Sequence, residues 1–101
     1  MTESGKPTAP GEPTVDEQGD LVFPCRYPVK AMTRTEEQAL EQVVGAVSAQ
    51  GITLDRETIQ LRPSRNGTFQ SITLQVEVTS RTQLEQIYAA LRALDVVVMT
   101  L

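Results

Sequence analysis

The sequence contains no histidine and no tryptophan, and it has a single cysteine among 101 residues. Without histidine, the chain lacks the commonest general base and metal ligand of proteins. One cysteine, Cys25, excludes an internal disulfide and a structural zinc site of the usual kind. A buried structural role for Cys25 is favoured over a reactive one, because the neighbouring residues offer it no base. We therefore predict no catalytic residues, no metal site and no cofactor.

Long apolar segments are also missing. The longest apolar run covers residues 96–99, much too short to cross a bilayer, and no apolar stretch follows Met1 as a secretory signal would require. We expect a cytoplasmic protein with no membrane contact. Aromatic residues make up only 4% of the chain, so the core should be aliphatic, built from Val, Leu and Ile.

Charge is distributed unevenly along the chain. Residues 1–20 carry five acids and one base, a net charge of −4, whereas residues 21–101 carry eight of each. The first segment is rich in Pro, Gly, Ser and Thr and cannot bury enough apolar surface to offset its ordering entropy. We predict a disordered acidic tail over residues 1–20 and one neutral folded domain over residues 21–101. A neutral body lacks the positive field that drives nucleic-acid binding, which disfavours that role.

Residue spacing predicts a strand and a helix in the first half of this domain. Alternation indicates a strand at about residues 27–32. Thr35 and Gln38 match the two ends of a capping box, so a helix should follow over about residues 36–50. Gly51 would then supply its C-terminal stop.

A hairpin is predicted next. Residues 58–62 alternate as a second strand, and Asn66-Gly67 is the strongest short turn signal for a hairpin. The following strand, from Phe69 to about residue 79, alternates most regularly of all, with one apolar and one polar face.

The last two elements complete a familiar order. A second capping box at residues 80–83 begins an amphipathic helix that should end near Leu94, and residues 96–101 form the last strand. The order β-α-β-β-α-β predicts an α+β, ferredoxin-like two-layer sandwich, with two helices on one face of a four-stranded antiparallel sheet. The first and third strands should be central.

The last strand is a candidate interface, because its apolar residues do not alternate as an exposed edge should. The outward set is predicted to be Val97, Met99 and Leu101. Two interpretations stay open. Either Phe23 and Pro24 cover this edge within the monomer, or it contacts a protein partner or a second copy of the chain.

The hairpin surface is the second candidate, for a ligand or a partner. It comprises Arg62, Ser64, Arg65, Asn66, Gly67, Phe69 and Ser71. With Arg26 and Lys30, its arginines offer contacts for a small carboxylate, although ordinary solvation explains the same residues. A nucleic-acid role resembling RNA-recognition domains is disfavoured, because Phe69 is the only aromatic on the third strand.

The segments at residues 64–73 and 95–101 are the most specific parts of a resemblance that runs from about residue 21 to the end. In these segments the chain resembles the small bacterial YbeD-like family. The resemblance implies a ferredoxin-like fold similar to ACT regulatory domains. It also implies a bacterial, cytosolic, non-enzymatic role, described in that family as lipoic-acid-binding regulation. The favoured function is a regulatory or protein-interaction module; the alternative is a sensor for a small ligand such as lipoate or an amino acid.

Overall fold

The computed structural model describes residues 15–101, and the predicted disordered tail lies mostly outside them. Within these residues, four strands, two helices and one short 3-10 turn follow one another. In order, they are β1 (Cys25–Arg34), α1 (Ala39–Ser48), the 3-10 turn (Arg56–Thr58), β2 (Gln60–Pro63), β3 (Phe69–Val78), α2 (Arg81–Arg92) and β4 (Val97–Thr100).

The strands form one antiparallel sheet in the order β2-β3-β1-β4, with β1 and β3 at its centre. Both helices cover the same face. The core lies between these layers and is aliphatic, with Ile72, Leu74 and Val76 of β3 almost fully buried. Burying each such side chain contributes about 1.5–3 kcal/mol. The predicted ferredoxin-like sandwich, including its central strands, is confirmed.

Strand β1 is longer than residues 27–32 and contains Pro28 at its centre. Even-numbered residues of β1 direct their backbone groups towards β4: Arg34 N–H donates to Val96, and the Lys30 carbonyl accepts from Leu101. Pro28 lies two residues beyond Lys30, where β4 no longer runs alongside. Its missing N–H therefore removes no ladder bond, which explains how a central strand accommodates proline.

The first predicted capping box is wrong. Helix α1 begins at Ala39 and has no side-chain cap. The backbone N–H of Thr35 donates to the carbonyl of Thr68 at 3.1 Å, which extends the β1–β3 region by one residue. Thr35 is thereby held outside the N-cap position, and the helix begins one turn later. The predicted stop at Gly51 is confirmed, with the positive φ of +75° that favours glycine.

The second capping box is confirmed. Ser80 Oγ accepts from the backbone N–H of Gln83 at 3.1 Å, and the Gln83 side chain accepts from the N–H of Thr79 at 2.7 Å. The Gln83 side chain thus bonds to the residue before the N-cap Ser80 and not to Ser80 itself.

The hairpin is confirmed too. Gly67 has a φ of +79° and its N–H donates to the carbonyl of Ser64.

Strand β4 contains a register shift opposite Met32 and Thr33. Met99 pairs with Met32, but Thr33 pairs with Val97, so Val98 is an extra residue in the ladder. Val97 consequently packs against the core, whereas Met99 does not. The predicted outward set was wrong for Val97, because the bulge reverses the side on which successive residues lie.

Candidate functional site

The helices leave one face of the sheet uncovered, and we call it the open face. It carries the residues of β1 and β3 that alternate with the core positions, together with Gln60 and Arg62 of β2 and Met99 of β4. The β1 and β3 members are Arg26, Pro28, Lys30, Met32, Ser71, Thr73, Gln75 and Glu77. None of these residues belongs to the hydrophobic core beneath the helices.

A polar groove of about 130 Å³ lies on the β2 side of the open face. The sheet register builds it from two neighbouring rows. Lys30, Thr73 and Gln60 lie side by side across three strands, and Ser71 pairs with Arg62 in the next row. Two hydroxyls on the middle strand therefore lie between a lysine on one neighbouring strand and an arginine on the other.

An apolar cleft adjoins the groove and also measures about 130 Å³. Its apolar lining is Met32, Pro63 and Phe69. It shares Arg62 and Ser71 with the groove. The groove and the cleft therefore adjoin along Arg62 and Ser71, with a polar lining on one side and a largely apolar lining on the other.

The two cations of the groove form no salt bridge with the described residues, whereas Arg34 and Arg56 do. Neither Lys30 nor Arg62 forms a salt bridge within residues 15–101. Arg34 differs: it binds Glu36 at 2.7 Å and Asp95 at 3.0 Å. The hydrogen bond to Glu36 is the largest cause, and the bond to Asp95 the second, of a pKa of the Arg34 guanidinium above its usual value.

The charges of the folded body are separated in space. The acid on the open face is Glu77, which pairs with Arg26 two rows away from Lys30. Most other acids lie around α1 and the 3-10 turn, or on α2. They are Glu36, Glu37, Glu41, Asp55, Glu57 and Glu85. Although residues 21–101 are neutral overall, the open face is positive.

The predicted hairpin surface is only partly brought together. Arg62 and Ser71 line the groove, and Ser64 and Phe69 line the cleft. Arg65, Asn66 and Gly67 lie in the turn and line neither concavity. There, Asn66 Oδ1 accepts from the Thr68 N–H at 3.1 Å and from the Ser64 hydroxyl at 3.2 Å, so Asn66 stabilises the turn.

Sequence reasoning did not assign several groove and cleft residues to this surface. They are Gln60, Thr73, Met32 and Pro63, whereas Lys30 was named there as a possible contact for a carboxylate. The alternation of polar residues along β3 did identify Ser71 and Thr73 as members of one polar face of that strand. The missing information was the register, because only the pairing of Lys30 with Thr73 and of Gln60 with Thr73 joins three strands into a site.

The residues of the predicted last-strand interface are divided by the bulge. Met99 and Leu101 have exposed fractions of 48% and 56%, and the extra residue Val98 is 45% exposed. The Leu101 carbonyl accepts from the Tyr88 hydroxyl at 3.3 Å. Met99 lies opposite Met32, so the β4 side of the open face is apolar.

The structure gives no support to metal or reactive-cysteine chemistry. Within residues 15–101, no three His, Cys, Asp or Glu side chains are grouped closely enough to hold a metal ion. Cys25 is buried in the core. No helix in this described part of the chain is long and apolar enough to span a membrane.

Comparison with known proteins places the sequence in a family. Residues 19–101 match the family described as a protein of unknown function, DUF493. A UPF0250 protein of Nitrosomonas europaea is 34% identical over 85 residues, covering 84% of this chain and 98% of the relative. A UPF0250 protein of Azotobacter vinelandii is 39% identical over 82 residues, covering 80% and 89%. The names of these two relatives indicate no enzymatic activity.

Solved structures agree on the fold. The solution structure of protein HP0495 from H. pylori has a TM-score of 0.67 at 20% identity, covering 98% of this chain and 91% of that one. The ACT domain from the GTP pyrophosphokinase of Chlorobium tepidum has a TM-score of 0.62 at 16% identity, covering 75% and 94%. Motifs, family match and fold lead to the same conclusion: the chain is a member of the bacterial DUF493 (UPF0250) family, the YbeD-like family that its sequence resembles, with an ACT-like ferredoxin fold.

Proposed function

We propose that the chain is a non-catalytic regulatory module that acts by binding, and that the open face is its binding surface. The observation that carries the proposal is the pair Lys30 and Arg62. Both flank a concavity and have no counterion within residues 15–101. A cleft lined by charges of one sign attracts ions of the opposite sign, so two cations and no acid beside an apolar cleft support recognition of an anionic partner or ligand.

An affinity experiment with charge-reversed variants tests this proposal. The bait is the full chain, and the variant is Lys30→Glu combined with Arg62→Glu. The matched control reverses two charges on the helical layer, Arg81→Glu with Arg92→Glu. A negative charge is favourable at residue 81, where α2 begins, and unfavourable at residue 92, where α2 ends, because of the helix dipole. The effects of the two changes on stability should therefore largely cancel.

We expect the wild type and the control to capture the same molecules from a native bacterial lysate, and the open-face variant to lose them. Mass spectrometry identifies captured proteins and metabolites together. Equal capture by all three baits would contradict the open face as the binding surface. Circular dichroism of each bait establishes that the sheet is intact.

A second candidate function is protein contact through β4, either with a partner or with a second copy. The specific observation is the cluster of exposed apolar residues Val98, Met99 and Leu101 on an edge strand. Exposed apolar edges favour pairing with another chain. This candidate uses the β4 edge of the sheet, whereas the groove lies at the β2 edge, so variants of the two edges separate the two functions.

A further inference from the structure

We infer that the groove of Lys30, Gln60, Arg62, Ser71 and Thr73 binds an oxyanion, and that the adjoining cleft holds an apolar chain attached to it. The ligand class is thus a small organic carboxylate or phosphate monoester with an apolar tail. This inference rests on the proposed function, because it names the chemistry that the open face recognises.

The first argument is the donor inventory of the groove. All five lining side chains carry hydrogen-bond donors, and none is a carboxylate. None of these side chains makes a hydrogen bond or a salt bridge within residues 15–101. A site with five donor side chains, two of them cationic, and no carboxylate is complementary to an oxyanion, whose oxygens only accept.

The second argument is the spacing of the two cations. Lys30 and Arg62 lie on strands that flank β3 on either side, so about 10 Å separates their backbones, two strand spacings. Both side chains are long enough to converge above β3. Arg62 offers a planar fork to two oxygens, and Lys30 offers a point charge. The hydroxyls of Ser71 and Thr73 form the floor between them.

The third argument is the continuity of the groove with the cleft. Arg62 and Ser71 line both concavities, and beyond them the lining becomes Met32, Pro63 and Phe69. A simple inorganic anion would leave this apolar end empty. A ligand whose charged head lies by Arg62 and whose chain extends over Met32 and Phe69 would use both ends, with burial of the chain adding to the affinity.

The ligand class is tested by NMR titration of the full chain labelled with ¹⁵N. The probes are hexanoate, hexyl phosphate, hexanol and acetate. Hexanol lacks the charge, acetate lacks the chain, and the two hexyl anions compare carboxylate with phosphate. We expect amide shifts to concentrate on residues 60–62 and 71–73. At least one hexyl anion should bind about tenfold or more tightly than both hexanol and acetate.

Two variants and a control locate the head group. Lys30→Gln and Arg62→Gln should each weaken binding of that hexyl anion by about tenfold, because each removes a charge-assisted hydrogen bond. Arg81→Gln, on α2, should leave it unchanged. Phe69→Ala should reduce the advantage of the hexyl anion over acetate while leaving acetate binding unchanged. The dispersion of each spectrum shows that the variant is folded.

Equal affinity for hexanol and the hexyl anions would overturn the inference, as would unchanged binding by both Lys30→Gln and Arg62→Gln. Failure of this inference is distinguishable from failure of the proposed function. If no anion shifts the amide signals of the groove residues but capture from lysate still requires Lys30 and Arg62, the open face binds something of different chemistry. If neither experiment depends on these residues, both proposals are wrong.

Discussion

Gln70 donates a hydrogen bond from its side-chain amide to Oγ1 of Thr33 at 3.3 Å, directly across the β1–β3 ladder. Both residues are buried on the helix-covered side of the sheet. The Thr33 hydroxyl in turn donates to the Arg34 carbonyl at 2.9 Å. The Thr33 hydroxyl thus accepts one hydrogen bond from Gln70 and donates another to the backbone of Arg34. It lies next to the bulge where β4 changes register.

Replacing Thr33 with valine should destabilise the domain by about 1–3 kcal/mol, because a residue of the same shape leaves the Gln70 amide without its acceptor. Thr33→Ser is the matched control and should retain most of the stability, since it keeps the hydroxyl. Urea unfolding followed by circular dichroism measures both variants. A valine variant as stable as the wild type would mean that the Gln70 amide is satisfied in another way.

The two sequence-predicted capping boxes should respond differently to the same change. Ser80→Ala should cost about 1 kcal/mol, because Ser80 accepts from the Gln83 N–H at the start of α2. Thr35→Ala should have an effect near zero, because no side-chain cap is present at α1 and the Thr35 contact is made by its backbone. Thermal unfolding of the two variants side by side makes the comparison, and equal losses would restore Thr35 as a cap.

The raised pKa of Tyr88 predicts that the domain loses stability at high pH. Burial, and secondly the neighbouring Tyr27, raise the pKa of Tyr88 from 10.0 to about 12. Between these values, the unfolded chain has lost the Tyr88 proton while the folded chain retains it. The unfolded state therefore binds fewer protons, and the free energy of unfolding falls as the pH rises from 10 to about 12.

The measurement is the pH dependence of the urea midpoint, with Tyr88→Phe as the control. The wild type should lose stability more steeply than Tyr88→Phe in this window, and the difference in absorbance at 295 nm between the two proteins should titrate near pH 12. Parallel stability curves would show that the Tyr88 hydroxyl is more accessible to water than its position implies.

Lysine substitutions in β4 should separate packing from association. Met99→Lys should abolish any self-association through this edge and change stability little, because Met99 is 48% exposed. Val97→Lys should destabilise the domain, because Val97 packs against the core. Light scattering after size exclusion, over a range of protein concentrations, detects the association. A wild type that stays monomeric throughout would remove self-association through β4 from consideration.

Local signals explain which parts of this fold were predictable. The alternation of β3 and the Ser80 cap depend on residues close in sequence, so their patterns survive in the structure. Thr35 carried an equally good local signal, but a backbone bond to Thr68 at the end of the β1–β3 ladder overrode it. In β4, the extra residue Val98 makes apolar residues point to both sides, which conceals the alternation.

The candidate site was less predictable than the fold, for a related reason. Arg62 and Ser71 were identified individually, as was Lys30, but their juxtaposition depends on how three strands are aligned. A shift of one residue would send Thr73 or Arg62 to the opposite face. Sequence spacing within each strand carries no information about that alignment.

The separation of charge within a neutral body has a consequence for how the protein meets other molecules. The open face carries three bases and one acid, whereas the residues around α1 and the 3-10 turn carry five acids and one base, so charge is distributed unevenly across the sheet. An approaching anion is oriented towards Lys30 and Arg62 before contact, whereas a cation is oriented towards α1. Because salt screens such fields over about 8 Å at physiological ionic strength, encounter rates with anions should fall as salt is added, even though the net charge of residues 21–101 is zero.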